Sequence, residues 1–163
     1  KRTVFMDNGV NLSGIELGYG GVWLTATPNL LFVPDRDGDD VPDGEPEVML
    51  DGWDLKAQHN VFNSLIWGPD GWLYGCNGIL SRSRVGRPGT PDEARTPIDC
   101  GVWRYQPQTG EFNVVASGST NRTRLRRIRP SNLHQLRHQA SVPCDPRCAL
   151  RTHVWPRPQP VRV

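Results

Sequence analysis
The stretch Asp35-Arg36-Asp37-Gly38-Asp39-Asp40-Val41-Pro42-Asp43-Gly44-Glu45 crowds six acids into one turn. Like charges this close repel unless a cation or water screens them. Calcium takes several oxygen ligands from a flexible loop, and Asp35, Asp37, Asp39, Asp43 and Glu45 supply carboxylates for it. A solvated acidic turn between edge strands is the other reading of the same residues. His59 is the second chemical group. Its imidazole titrates near neutral pH, which suits it to take a proton, and it stands at the mouth of a hairpin. Cys76 and Cys100 are either a disulfide or two buried thiols, a choice that their Cα separation decides. Arg82, Arg84, Arg87 and Arg95 carry forks that match carboxylates, or simply solvate a loop.

Short strands must hold these groups. After His59, Ser64-Leu65-Ile66-Trp67 is an apolar run and Gly68-Pro69-Asp70-Gly71 is dense turn chemistry. Proline presets φ, aspartate caps its own turn, and glycine takes positive φ without a Cβ clash. Trp72 to Tyr74 is the aromatic return strand. Earlier in the chain, Asn11–Leu17, Val22–Thr27, Leu30–Val33 and Glu47–Leu50 make four strands in meander order, as in one propeller blade. The set repeats as Ser64–Trp67, Trp72–Cys76, Val102–Tyr105 and Phe112–Ala116. The blades span about 11–51 and about 63–117, with Gly78 to Pro97 an insertion between the second and third strands of the latter. Val4-Phe5-Met6 reads as a further strand, left from a preceding blade. No window keeps helical spacing, and 17 Gly, 15 Pro and 6 Trp suit a turn-rich β protein. The fold class expected is therefore all-β: a partial β-propeller of about two four-stranded antiparallel blades. Trp23, Trp53, Trp67, Trp72 and Trp103 are expected between the blades. Two blades cannot close a ring, so the missing blades of a larger parent are expected partners and the chain alone is expected to be marginal.

The run Leu65-Ile66-Trp67-Gly68-Pro69-Asp70-Gly71-Trp72-Leu73-Tyr74 behind His59 resembles the blade hairpin of soluble quinoprotein sugar dehydrogenases. It is closer still to that of the membrane-bound dehydrogenase β-propellers of planctomycete-type bacteria. Gly21-Val22-Trp23-Leu24 through Gly52-Trp53, and Cys100-Gly101-Val102-Trp103-Arg104-Tyr105, carry the same resemblance, which covers most of residues 1–121. It implies a periplasmic, secreted or cell-surface oxidoreductase acting on a sugar or related alcohol, with pyrroloquinoline quinone as cofactor in the full-length parent and calcium as a structural ion. This chain alone is expected to be inactive. His59 would be the catalytic base that takes the hydroxyl proton while hydride leaves the sugar carbon. In the family the hairpin runs on into Gly-Asp, and that Asp supports the His; the corresponding positions here are Asn77 and Gly78. The missing carboxylate favours a second reading, a non-catalytic propeller module that binds carbohydrate or protein at the cell surface. The acidic turn resembles the Asp-x-Asp-Gly-Asp loops of calcium-binding repeats, without the flanking helices or bidentate Glu register of an EF-hand.

The formal charge of +2 hides two unlike parts. Residues 1–121 hold nine Lys and Arg against sixteen Asp and Glu, a net of −7; residues 122–163 hold ten Arg against Asp145 alone, a net of +9. The strand pattern stops at Ser119-Thr120-Asn121, which reads as a frame change or a truncated gene. Residues 122–163 are expected to be a disordered Arg/Pro-rich tail. Nucleic acid is not expected as a partner. A metal site from His134, His138, Cys144, Cys148 and His153 lacks a zinc-knuckle spacing. No apolar run is long enough to span a bilayer. The chain opens Lys1-Arg2-Thr3 with no signal region and reads as an internal fragment, its export signal expected upstream.

Overall fold
The computed structural model describes residues 4–56 and 61–118. His59 and the whole of the basic tail lie outside them, and so do the readings placed on those residues. Ten strands follow in chain order: β1 Leu12–Leu17, β2 Gly21–Ala26, β3 Asn29–Pro34, β4 Glu47–Leu50, β5 Asn63–Trp67, β6 Leu73–Asn77, β7 Ser83–Val85, β8 Thr96–Ile98, β9 Gly101–Gln106 and β10 Glu111–Ser117. They build two four-stranded antiparallel sheets, β1-β2-β3-β4 and β5-β6-β9-β10, and a two-stranded hairpin β7-β8. The fold is all-β, with the blade-like meander expected of a partial propeller. Among the described residues no helix is long and apolar enough to cross a membrane.

Period-two alternation explains why the sheets pack as they do. Cross-strand partners share a face. In the first sheet Trp23 pairs with Phe32 and Thr25 with Leu30. In the second, Leu73 pairs with Tyr105 and Gly75 with Trp103. These inner faces, with Trp53 and Phe62 from the connection between the sheets, form the main core. Gly75 is required there, because a Cβ would fall on the Trp103 indole. The edge strands β1 and β5 meet: Ser13 Oγ donates to the Phe62 carbonyl at 2.7 Å and Trp67 Nε1 to the Leu17 carbonyl at 2.7 Å.

The opposite faces are apolar as well. Ile15 pairs with Leu24, which pairs with Leu31, and Leu17 with Val22, which pairs with Val33. Ile15 and Leu17 remain 65% and 66% exposed. On the second sheet, Tyr74, Cys76 and Val102 form a separate cluster with Ile66, Trp72 and Val115.

Three expectations need correction. Val4-Phe5-Met6 is not a strand; it has no neighbour to pair with among the described residues, and Phe5 and Met6 instead pack as coil over Val22, Leu24 and Val33. The insertion is not bare loop: it carries β7, a 3-10 turn at Asp92–Ala94 and β8. Trp72 does not lie between the sheets. It sits on the outer face of the second, under the Arg104 guanidinium at 4.0 Å.

Candidate functional site
The acidic turn joins β3 to β4. Its ends close where the Asp43 amide donates to the Pro34 carbonyl at 2.8 Å. Within it, alternate aspartates accept backbone amides: Asp35 from Gly38 at 3.0 Å, Asp37 from Asp39 at 3.3 Å and Asp39 from Val41 at 2.8 Å. These bonds wind the chain so that one carboxylate oxygen each of Asp35, Asp37 and Asp39 lies within 4.8 Å of the others. At that spacing each pair repels by about 1 kcal/mol even in water. Asp43 does not join the group; its carboxylate accepts the Arg36 amide at 2.6 Å. Glu45 is exposed and also outside it. Three of the five expected ligands thus converge.

His59 falls between Lys56 and Val61, the nearest described residues. The strand that follows, β5, is the one that meets β1, and Asn63 pairs with Cys76 one residue before Asn77. Of the Asn77-Gly78 pair, which stands where the resemblance expects Gly-Asp, Asn77 is the one with a polar side chain. It is buried, and its amide donates to the carbonyls of Ser81 at 2.9 Å and Gly78 at 3.4 Å, holding its own loop. Its Oδ1 and the Ser81 Oγ have no hydrogen-bond partner among the described residues. Leu80 in the same loop is 76% exposed at a left-handed φ of 65°.

Cys76 and Cys100 are both buried. Cys76 pairs with Val102 across β6 and β9, two residues beyond Cys100. Burial pushes the Cys76 thiol from 9.0 up to about 12. Tyr74 also rises to about 12, chiefly through burial and then through its hydroxyl's hydrogen bond to Asp70. Both folded values lie above the unfolded ones, so the folded state keeps protons that the unfolded state releases. The stability involved is complete below about pH 9 and is lost as pH rises toward 12. Urea midpoints are therefore expected to hold steady from about pH 7 to 8 and to fall from about pH 9 upward. C76S should delay the onset of that fall to about pH 10, where Tyr74 begins to titrate. A flat alkaline profile would contradict this.

A fourth group was legible only as scattered cations. The connection after β4 and the inserted hairpin enclose an open cleft of about 470 Å³, lined by Gly52, Asp54, Lys56, Arg82, Arg84, Asp92 and Arg95. Two short backbone ladders hold its walls together. Asp51 and Gly86 exchange amide hydrogen bonds at 2.9 and 3.2 Å, and the Arg84 amide donates to the Gly52 carbonyl at 3.2 Å. Arg84 grips the Asp92 carbonyl at 2.7 and 2.9 Å, with the Asp92 carboxylate also at 2.9 Å. Arg95 pairs with Asp51 and donates to the Thr90 carbonyl at 2.9 Å. Arg87 lies apart, donating to the Thr109 and Gly110 carbonyls.

No curated protein and no solved structure matches the chain. A family model described as a domain of unknown function, DUF7133, matches residues 1–141, through the Ser119–Asn121 boundary and most of the way along the sequence. This chain, with its paired four-stranded sheets and acidic β3–β4 turn, belongs to the DUF7133 family.

Proposed function
We propose that the chain is part of an exported β-propeller oxidoreductase of the quinoprotein-dehydrogenase type, acting on sugars or related alcohols. The observation that carries this reading is architectural: two sheets of the same strand order meet through β1 and β5 and leave an apolar face on either side. Such faces fit further blades of a ring. In the intact ring His59 takes the proton of the substrate hydroxyl. Calcium is structural, held by Asp35, Asp37 and Asp39. Three carboxylates supply half of a six-oxygen shell and leave the rest to backbone carbonyls and water, so the donor set fits the ion.

Pyrroloquinoline quinone accepts two electrons when bound, and it is a tricarboxylate that needs cations around it. Strands β1 and β5 contain no Lys or Arg. The described residues at the meeting edge do not fit the group, and no step is routed through it; its cations would come from other blades.

A second reading, a non-catalytic module that binds carbohydrate or protein at the cell surface, is favoured by the Asn77-Gly78 pair, which supplies no carboxylate and spends the Asn77 amide on its own loop. Dye-linked oxidation of sugars by the full-length parent separates the two. The expected result is dye reduction that requires added quinone and calcium and falls about 10²- to 10⁴-fold in the His59→Ala parent. Absence of dye reduction with both present, while glycan binding persists, would sink the enzyme reading and leave the binding module.

A further inference from the structure
We infer that the cleft between the post-β4 connection and the β7–β8 hairpin binds a small ligand through its oxyanion, a carboxylate or a phosphate. The described residues are strongly acidic: sixteen Asp and Glu against seven Lys and Arg. Four of those seven cations, Lys56, Arg82, Arg84 and Arg95, line this one cleft, with only Asp54 and Asp92 for acids. Gathering most of the positive charge of an acidic domain into one concavity is the arrangement that concentrates anions. The volume is that of a pocket for a sugar-sized molecule.

The four cations divide by role. Arg84 and Arg95 are held by Asp92, Asp51 and backbone carbonyls, so they form a fixed floor. Arg82 and Lys56 are the arms. The Arg82 side chain is 87% exposed, and among the described residues its one ion pair is with Asp99, through Nε at 3.4 Å, which leaves both terminal nitrogens of its fork to a ligand. The Lys56 ammonium has no ion pair among the described residues. Asp51 and Asp99 balance the floor and one arm, but neither lines the cleft. An exposed, single-nitrogen pair such as Arg82–Asp99 is weak and readily exchanged for a bidentate oxyanion. Asp54 is placed to accept a hydroxyl of the same ligand: one of its carboxylate oxygens takes the Lys56 amide at 2.9 Å and the other remains available. This inference is independent of the oxidoreductase reading, because it concerns binding alone.

Titration of the full chain with galacturonate, glucose 6-phosphate and glucose, by calorimetry and by amide chemical shifts, tests it. At least one anion is expected to saturate a single site below about 10 mM, with glucose silent, and added salt should weaken the binding. Which anion binds distinguishes a carboxylate site from a phosphate site. Shifts should centre on residues 52–56 and 82–95. The Lys56→Gln/Arg82→Gln variant, altered only at exposed side chains, should keep its melting temperature and lose about tenfold or more in affinity. Failure of both anions to saturate, binding of glucose equal to theirs, shifts elsewhere, or unchanged affinity in the variant would each overturn the inference.

Discussion

Trp53→Ala is expected to remove about 3–5 kcal/mol of stability, and in a chain of ordinary total stability that is enough to abolish most of its cooperative unfolding transition. Trp53 is 2% exposed and sits in the connection between the sheets, in the main core to which both contribute. Its ring stacks on Phe62 at 3.9 Å with planes 8° apart, and it packs against Trp103 at 5.5 Å and edge-on to Phe112 at 6.1 Å. Deleting the indole leaves a void lined by three aromatic rings, two on separate strands and one on the connection, that cannot all collapse into it. The indole Nε1 has no hydrogen-bond partner among the described residues, an arrangement that itself costs about 1–3 kcal/mol. Trp53→Phe therefore discriminates. It keeps the stack on Phe62 and removes the orphaned donor, so its loss is expected to be less than half that of the alanine variant. Thermal and urea denaturation followed by circular dichroism measure both. An alanine variant that melts within a few degrees of the parent chain would mean that the two sheets are not joined through this ring.

How much of this was readable beforehand depends on the distance over which each feature is determined. The eight strands of the two sheets follow from local alternation and from turns such as Gly68-Pro69-Asp70-Gly71, where Asp70 accepts the Trp72 amide as its position in the turn suggests. Pairing order followed from the meander. The β7–β8 hairpin was not readable, since three-residue strands with Pro97 and Arg84 carry no apolar period; docking against Asp51 and Gly52 creates them. Val4-Phe5-Met6 is the reverse case, a run with strand composition and no strand to pair with among the described residues. Alternate aspartates predicted convergence at Asp35, Asp37 and Asp39, because each forms a turn with a residue two or three ahead. The diversion of Asp43 to the Arg36 amide depends on loop closure at Pro34, which spacing does not report. The basic cleft was the least legible. Lys56 and Arg82 are far apart in sequence and meet only because the insertion folds back over the connection.

The fold-back itself rests on Gly52, and Gly52→Ala is expected to detach the inserted hairpin. Two costs coincide there. Gly52 has φ of 96°, a conformation that charges an L-residue about 1–2 kcal/mol. A Cβ would also fall on the Arg84 carbonyl oxygen, with the Arg95 guanidinium at 2.6 Å on its other side. Neither obstacle is the free end of a flexible chain: the first is backbone, and the second is pinned by Asp51 and Thr90. Relief requires β7 to move away, which breaks the Arg84–Gly52 bond and the Asp51–Gly86 pair. Adding about 1 kcal/mol for each of the three lost bonds to the backbone strain gives an expected loss of about 4–5 kcal/mol for the hairpin. Gly38 is the internal control. It too has positive φ, at 71°, but a Cβ there meets nothing within 4 Å, so Gly38→Ala should cost only about 1 kcal/mol. Amide hydrogen exchange reads the difference directly. In Gly52→Ala the amides of Asp51, Arg84 and Gly86 should lose protection while those of β2 and β9 keep most of theirs, and oxyanion affinity of the cleft should fall with them. Equal protection in the Gly52 and Gly38 variants would show that the hairpin is held by the β8–β9 junction rather than by this backbone contact.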